Sequence, residues 1–456
     1  SDRNHFRMQS YQFGGLLFTD SDVAESRVHP IIDWNYIVGM PVLGGELGWN
    51  LNALSFSRDQ SFTDYKYDTI DKTTKTQRIV ADINWRRKFT DGIGISYTPF
   101  ANLRGDALTF DNAVDPLKNH LIDESTVTRG IATAGVLASY PWLANGSRGS
   151  HIIEPIGQII ARTAKVDQRD LPNEDARSIV FDDTNLFEFN KTSGLDRVET
   201  GTRANVGVQY TFQAYTGGHA RILAGQSFHL SGDNIYNGYT GVEPSIDPKT
   251  ASSILAPNNG LQNNSSDYVL GAYVAPSDIF TFIGQGRFDH NDLQLQRADV
   301  AADFRYGPLN AQAIYTFAAF DPVGGRYDLA EEQCNDTDCL TELSDAYKAR
   351  LANELLDQQD LIGTVSLQLS ERWRIIGATR FDIDKREGRQ NSVSVRYADD
   401  CFVLTTTYTQ SNIEDPNRDI TRDQTILLRF ELKHIGEFSY RSDALDHLFG
   451  ENQVNF

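Results

Sequence analysis

Residues 203–213 read RANVGVQYTFQ. An extended chain turns successive side chains to opposite faces. Ala204, Val206, Val208, Tyr210 and Phe212 therefore share one side, and Arg203, Asn205, Gly207, Gln209, Thr211 and Gln213 the other. Segments of this kind, about ten residues long and cut by turns, recur about eighteen times with no helical domain between them. They fall at residues 7–18, 27–39, 43–57, 75–87, 92–104, 127–140, 151–161, 202–213 and 218–230. The series continues at 265–274, 278–288, 292–305, 309–320, 361–369, 372–381, 391–397, 401–408 and 424–433. The segment at 292–305 changes phase near Arg297, which predicts a bulge. Such a repeat predicts an all-β fold, an antiparallel sheet closed into a barrel.

The connections decide which kind of barrel. Short ones occur at 40–41, 276–277, 306–308, 370–371 and 399–400, and long ones at 59–74, 105–126, 162–201, 231–264, 321–360 and 410–423. They mostly alternate, the clear exception being the tight turn at 289–291. Transmembrane barrels sort tight periplasmic turns from long outward loops in this way. The last strand then runs inward. Its Ile426, Leu428, Phe430 and Leu432 form one face, and Leu427, Arg429, Glu431 and Lys433 the other. A lipid-facing Arg or Lys costs about 2–4 kcal/mol at mid-membrane, so the charged face belongs to a wet lumen.

Composition agrees. No run reaches the roughly 18 apolar residues of a membrane helix, and the mean hydropathy of −0.42 is no obstacle to a barrel, whose strands turn only half their residues outward. Aromatics at 11% suit interfacial girdles. A net charge of −20 argues against nucleic acid, with no basic face expected to collect phosphates. Neither Met8 nor Met40 opens the chain and no signal peptide is visible, so Ser1 is expected to begin a processed chain or part of a longer one.

No catalytic constellation is present: no Walker loop, no GxSxG, no HExxH. The nine His are scattered, and His29, His151 and His434 stand isolated at strand ends. No cofactor is expected. Leu343, Tyr347, Leu351 and Leu355 recur at helical spacing and predict a short amphipathic helix over 341–358. The forty-residue loop 162–201 carries Phe181, Leu186, Phe187 and Phe189, which need burial, against the lumen wall or a plug.

Within that loop, Asn185-Leu186-Phe187, Asn190 and Ser193-Gly194-Leu195-Asp196-Arg197 resemble the signature of the lipopolysaccharide-assembly outer-membrane family, LptD. So do His151-Ile152-Ile153-Glu154-Pro155, the stretch YADDCFVLTTTY at 397–408 and the ending FELKHIG at 430–436. The pattern is closer to the alpha-proteobacterial version than to the enteric one. The resemblance implies the C-terminal part of a barrel of about 26 strands, preceded by a periplasmic jelly roll. Residues 1–436 would form the barrel and 437–456 a periplasmic tail. It further implies lipopolysaccharide as cargo, delivered by periplasmic bridge proteins and released into outer-membrane lipid through a lateral gate. The strand carrying Ile426, Leu428, Phe430 and Leu432 would be one gate edge. A lipoprotein plug, LptE, would meet Asn185, Leu186, Phe187, Asn190, Gly194, Asp196 and Arg197. Asp196 and Arg197 are expected to pair with lumen charges, and Gly194 to adopt a turn conformation hard for other residues.

The three cysteines sit uneasily in an oxidising compartment. Cys334 and Cys339 share one loop and could form a local disulfide. The family carries two adjacent Cys at the turn holding Cys401, bonded to its N-terminal domain. Here the first is Asp400, which leaves Cys401 for one such bond or as a free thiol. A general diffusion porin is the competing reading; an outer-membrane enzyme or adhesin ranks third.

Overall fold

The computed structural model describes residues 4–13, 26–59, 61–63, 66–70, 73–114, 121–122, 125–163, 168, 171–176, 179–236, 259–319, 358–412, 422–433 and 436–441. Every regular element among them is a strand. In chain order these are β1 (His5–Gln12), β2 (Arg27–Ile37), β3 (Glu46–Arg58), β4 (Ser61–Thr63), β5 (Lys66–Ile70), β6 (Thr74–Arg86), β7 (Phe89–Thr90) and β8 (Ser96–Asp111). Next come β9 (Ala113–Val114), β10 (Leu121–Ile122), β11 (Ser125–Ser139), β12 (Trp142–Asn145), β13 (Gly149–Arg162), β14 (Thr202–Ala214), β15 (His219–Ser231), β16 (Tyr268–Ser277) and β17 (Phe280–Phe288). The rest are β18 (Leu295–Tyr306), β19 (Leu309–Ala318), β20 (Gln358–Gln368), β21 (Trp373–Asp382), β22 (Glu387–Ala398), β23 (Phe402–Ser411), β24 (Asp423–Leu432) and β25 (Gly436–Arg441).

One 21-stranded antiparallel sheet contains all but two small hairpins, β4–β5 and β9–β10. Its wall is a meander. β1, β2, β3, β6, β8, β11 and β13 pair in series, and β13 onward pairs strand by strand to β25. Short β7 and β12 extend the turn ends of this wall. Among the described residues β1 and β25 each pair on one side.

Each of the eighteen expected strands corresponds to a wall strand, and the fold is the expected all-β barrel wall. The bulge near Arg297 is present: Arg287 pairs with Arg297 but Phe288 with Leu295, so Gln296 is extra. A second short connection, Asp382 to Glu387, joins the 289–291 turn as an exception to loop sorting. One boundary is corrected. Residues 437–441, expected in the tail, continue from Gly436 as β25, which pairs with Leu427–Leu432. β24 is therefore the second strand from that edge. Residues 442–456 lie outside the described residues, as do Cys334, Cys339 and the helix expected at 341–358, except that Gln358 opens β20.

The two faces of the wall differ as the alternation requires. In β6, Thr74, Thr76, Arg78 and Val80 are buried while Lys75, Gln77, Ile79 and Ala81 are exposed. Ile83, Leu103, Val206, Val208, Val365, Val393 and Ile426 likewise face outward, each at least 47% exposed, which suits a lipid surface. Rings gather at the short-turn end: Phe89 with Tyr97, Phe280 with Phe304, Trp373 with Tyr397, and Phe402 with Phe430, at 5.0–5.5 Å between centroids. Amphipathic rings at one level of a barrel mark a membrane interface.

Candidate functional site

The loop between β13 and β14 folds back onto the inner wall. Its base is closed by Arg162 N–H donating to Gly201 O at 3.0 Å and Gly201 N–H to Thr163 O at 3.1 Å. Gly201 has φ +75°, and a Cβ there would meet Ser231 O at 2.2 Å, so this corner requires glycine.

Residues 189–199 then cross the wall strand by strand. Asp196 accepts from Arg78 of β6 and from the backbone N–H of Glu174 at 2.7 Å. Arg104 of β8 donates to Leu195 O and, at 2.8 Å, to Asp106. Arg129 of β11 donates to Asp196 O at 2.7 Å and to both oxygens of Asp106, which lies directly opposite it. Arg162 of β13 binds Glu199 and Phe189 O. Glu199 also accepts from the Tyr236 hydroxyl at 2.6 Å and faces Arg203 of β14 at 3.9 Å. All these charged side chains are at most 6% exposed. Buried charge survives only with its hydrogen-bond partners in place, so the loop holds the wall as much as the wall holds the loop.

The electrostatics of the loop follow. Burial would push the Glu199 carboxyl up, but Arg162, Lys191, Arg203 and the Tyr236 hydroxyl together hold it at about 2. Burial, helped by Arg203 and Arg162 and opposed by Glu199, pushes the Lys191 ammonium down to about 8. Burial also lowers Arg197 to about 10.

A second, apolar anchor lies beside the first. Leu186 and Phe181 are fully buried with Ile179, Tyr236, Leu261 and Val269, and Phe187 packs against them. They are received by glycines. A Cβ on Gly207 of β14 would meet the Phe187 ring at 3.1 Å, one on Gly225 of β15 Leu186 Cδ2 at 2.4 Å, and one on Gly271 of β16 Asp183 at 2.0 Å. Gly207 and Gly225 are register partners. Interior glycines in three successive strands thus make a hollow for the loop. Asp183 fastens it, accepting from Tyr273 at 3.0 Å and Gln285 at 2.9 Å.

The residues singled out from sequence divide by role. Leu186, Phe187 and Asp196 meet the wall directly. Asn185 and Asn190 shape the loop itself. Asn185 spans Asp182 N–H and Val180 O, while Asn190 accepts from Glu199 N–H at 3.1 Å. One expectation is corrected. Among the described residues Arg197 meets no carboxylate in the wall; it donates to Leu171 O at 2.6 Å and Pro172 O at 3.0 Å, tying the loop to itself. Gly194 sits where another residue would not fit, and the reason is room rather than a left-handed φ, since a Cβ would meet Asp175 Oδ1 at 2.3 Å. Ile426 and Leu428 face outward at 48% and 41% exposed, with Phe430 and Leu432 half-buried. Cys401 is a free, exposed thiol at the β22–β23 turn, its N–H held by Asp399 at 2.8 Å. Sequence reasoning missed the wall arginines and Glu199. The glycines at 207, 225 and 271 were the readable signal.

The sequence model of a family described as "LptD: LPS transport system D" matches residues 1–333. No curated protein matches the chain. Among solved structures, similar ones include a Q482A mutant of the ferric enterobactin receptor PfeA from Pseudomonas aeruginosa in complex with enterobactin. It is 8% identical with TM-score 0.46, covering 95% of this chain and 69% of that one. The siderophore receptor PirA from Acinetobacter baumannii is 7% identical with TM-score 0.43, covering 90% and 65%. The FrpB iron transporter from Neisseria meningitidis is 9% identical with TM-score 0.39, covering 95% and 70%. The chain spans about two thirds of the length of these structures.

Proposed function

The chain belongs to the LptD family of LPS transport proteins, and from that premise we propose that it is the outer-membrane translocon that sets lipopolysaccharide into the outer leaflet. The family places it in the Gram-negative outer membrane and among transport proteins. In this reading periplasmic bridge proteins deliver the cargo from below. Its acyl chains leave through a lateral seam and its saccharide crosses the wet lumen.

The observation that carries the reading is the position of the family-like loop. The residues that resemble the family signature, Asn185 to Arg197, lie folded on the inner wall, with Leu186 and Asp196 buried there. A loop so placed narrows the lumen and offers a surface to a plug, for which we propose the lipoprotein LptE. The seam is proposed along the β25 edge, beside the outward face of Ile426, Leu428, Phe430 and Leu432. The full protein is proposed to have about 26 strands and a periplasmic jelly roll, with Cys401 available for a bond to that domain. No step requires a nucleophile or a cofactor, since the work is done by geometry and polar contacts.

Depletion with co-purification tests it. A tightly held small lipoprotein, together with loss of newly made lipopolysaccharide from the cell surface on depletion, is the expected result. A stable open channel without a partner, and normal surface lipopolysaccharide on depletion, would favour a diffusion porin and end this reading.

A further inference from the structure

The strip of wall beneath residues 189–199 is cationic, in a chain whose formal net charge is −20. Arg78, Arg104, Arg129, Arg162 and Arg203 stand on β6, β8, β11, β13 and β14, which pair in series. The wall answers them with Asp106, between Arg104 and Arg129, and with Asp82 opposite Arg104. Net charge, averaged over the chain, does not reveal this local cluster. Residues 189–199 supply the carboxylates of Asp196 and Glu199 and the carbonyls of Phe189, Leu195 and Asp196. Asp175 and Gln168 of the same loop, and Asn52, Ser227 and Asn234 outside it, also accept from Arg78, Arg129 and Arg203. The loop is an incomplete partner. Arg78 Nε and Arg162 Nη1 are buried without an acceptor among the described residues, on side chains 3% and 1% exposed.

We propose that this arginine strip is a binding site for the phosphate groups of a phosphorylated saccharide, and that residues 189–199 are its resting occupant, displaced when the saccharide enters the lumen. The proposal rests on the lipopolysaccharide-transport reading and assigns chemistry to one place on the inner wall. Guanidinium forks match phosphate oxygens two at a time, and arginine keeps its charge when buried. The loop presents carboxylates and carbonyls to the forks in the same manner. A saccharide that takes the loop's place also keeps water from the arginines, so it must itself supply the anionic partners they lose. A neutral sugar supplies no compensation; a phosphate does, and its additional acceptor oxygens could also satisfy the donors the loop leaves unpaired. Exchange of one anionic partner for another is therefore the low-barrier way to clear this stretch of lumen.

Hydrogen exchange at residues 189–199 of the full protein, purified with its partner, tests the exchange. Three titrants are compared: inorganic pyrophosphate, the phosphorylated core oligosaccharide released from lipopolysaccharide, and the same oligosaccharide after phosphatase treatment. The phosphorylated oligosaccharide is expected to deprotect 189–199 while β18–β23 stay unchanged, and the dephosphorylated form to do nothing. Glu199→Gln should lower the concentration needed by about tenfold, one decade of affinity. Arg129→Gln should raise it; if that variant fails to fold, the Glu199→Gln shift still decides. Equal action by both oligosaccharides, action by pyrophosphate alone, or no deprotection in either wild type or Glu199→Gln overturns the proposal. Deprotection by the phosphorylated form in a protein whose depletion leaves surface lipopolysaccharide normal would keep the anion site and remove the transport reading.

Discussion

The inner wall has two halves that the same alternating pattern built. From β6 to β16 the lumen face is covered: Arg78, Asn102, Arg129, Gln158, Arg203 and Gln226 are all buried. From β18 to β24 much of the lumen face carries similar residues left half-buried or exposed, such as Asp303, Gln312, Arg374 and Arg429, and buried acids there, Asp360 and Asp382, are paired with neighbouring wall residues Arg380 and Arg389. Local sequence does not separate the halves; the folded-back loop does. A wet barrel wall thus gains its energetic importance from what lies on it. Substitutions of equal chemistry should cost very different amounts on the two sides.

The largest contrast is between acids. Asp196→Ala removes one of the two carboxylates on Arg78, the other being Asp175, together with the acceptor of the Glu174 N–H. It should weaken loop docking by about 3–5 kcal/mol, the cost of breaking a buried pair. Asp303→Ala on β18 removes an exposed acceptor of Gln312 and should stay within about 0.5 kcal/mol. Hydrogen exchange of residues 185–199 and heat modifiability of the barrel read the two effects, and equal losses would erase the distinction. Close behind is Leu186→Ala. It empties a site of 0% exposure and should cost about 2–5 kcal/mol, whereas Val365→Ala, 50% exposed on the outer face, should cost little in detergent.

The two halves also differ in how much of them could be read from sequence. The strands were legible because period-two alternation is local. Every wall strand from β1 to β24 was visible in this way, and so were the short turns. β25 was not, being only six residues that begin four positions after β24 ends. The loop's docking was legible only as a need for burial. Its contacts join residues far apart in sequence, as Arg78 to Asp196, and half of them end on backbone carbonyls such as Leu195 O and Phe189 O. A carbonyl has no residue signature, so no spacing announces it. The arginine strip was hidden for a related reason: net charge averages over a chain, while pairing brings five strands together. Gly207, Gly225 and Gly271 were legible and unused, since glycine inside a strand marks a close approach.

Docking of the loop on the covered half should also respond to pH. Glu199 is held at about 2 against an ordinary 4.5. A carboxylate lowered in the docked state stabilises docking fully above its free pKa and loses that contribution as pH falls from 4.5 to about 2. The amount is on the order of 3 kcal/mol. Lys191 is held at about 8 against 10.5, so its burial opposes docking below 8 and ceases to do so as pH rises towards 10.5. Both groups make docking tighter with rising pH, in separate windows with a plateau between. Exchange of 185–199, corrected for the intrinsic rate at each pH, should show this shape. Glu199→Gln should flatten the acid limb alone; an unchanged limb would assign it to other carboxylates.

The smallest effect is the sharpest test of the hollow, because it adds a single methyl group to each half. A Cβ on Gly225 would meet Leu186 Cδ2 at 2.4 Å and Val206 O at 2.5 Å, while one on Gly377 of β21 meets nothing within 4 Å. In a bare strand Ala is favoured over Gly, by roughly 0.5–1 kcal/mol, because less backbone entropy is lost. Gly377→Ala should therefore be neutral or slightly stabilising. Gly225→Ala must first move the Leu186 side chain or the β14 backbone, and overpacking of that kind costs about 1–3 kcal/mol. The signs should thus be opposite. Leu186→Ala removes the clashing methyl, so combining it with Gly225→Ala should cost less than the sum of the two. If the double variant is simply additive, Gly225 is not where the loop seats, and the difference between the two halves of the wall must come from the arginines alone.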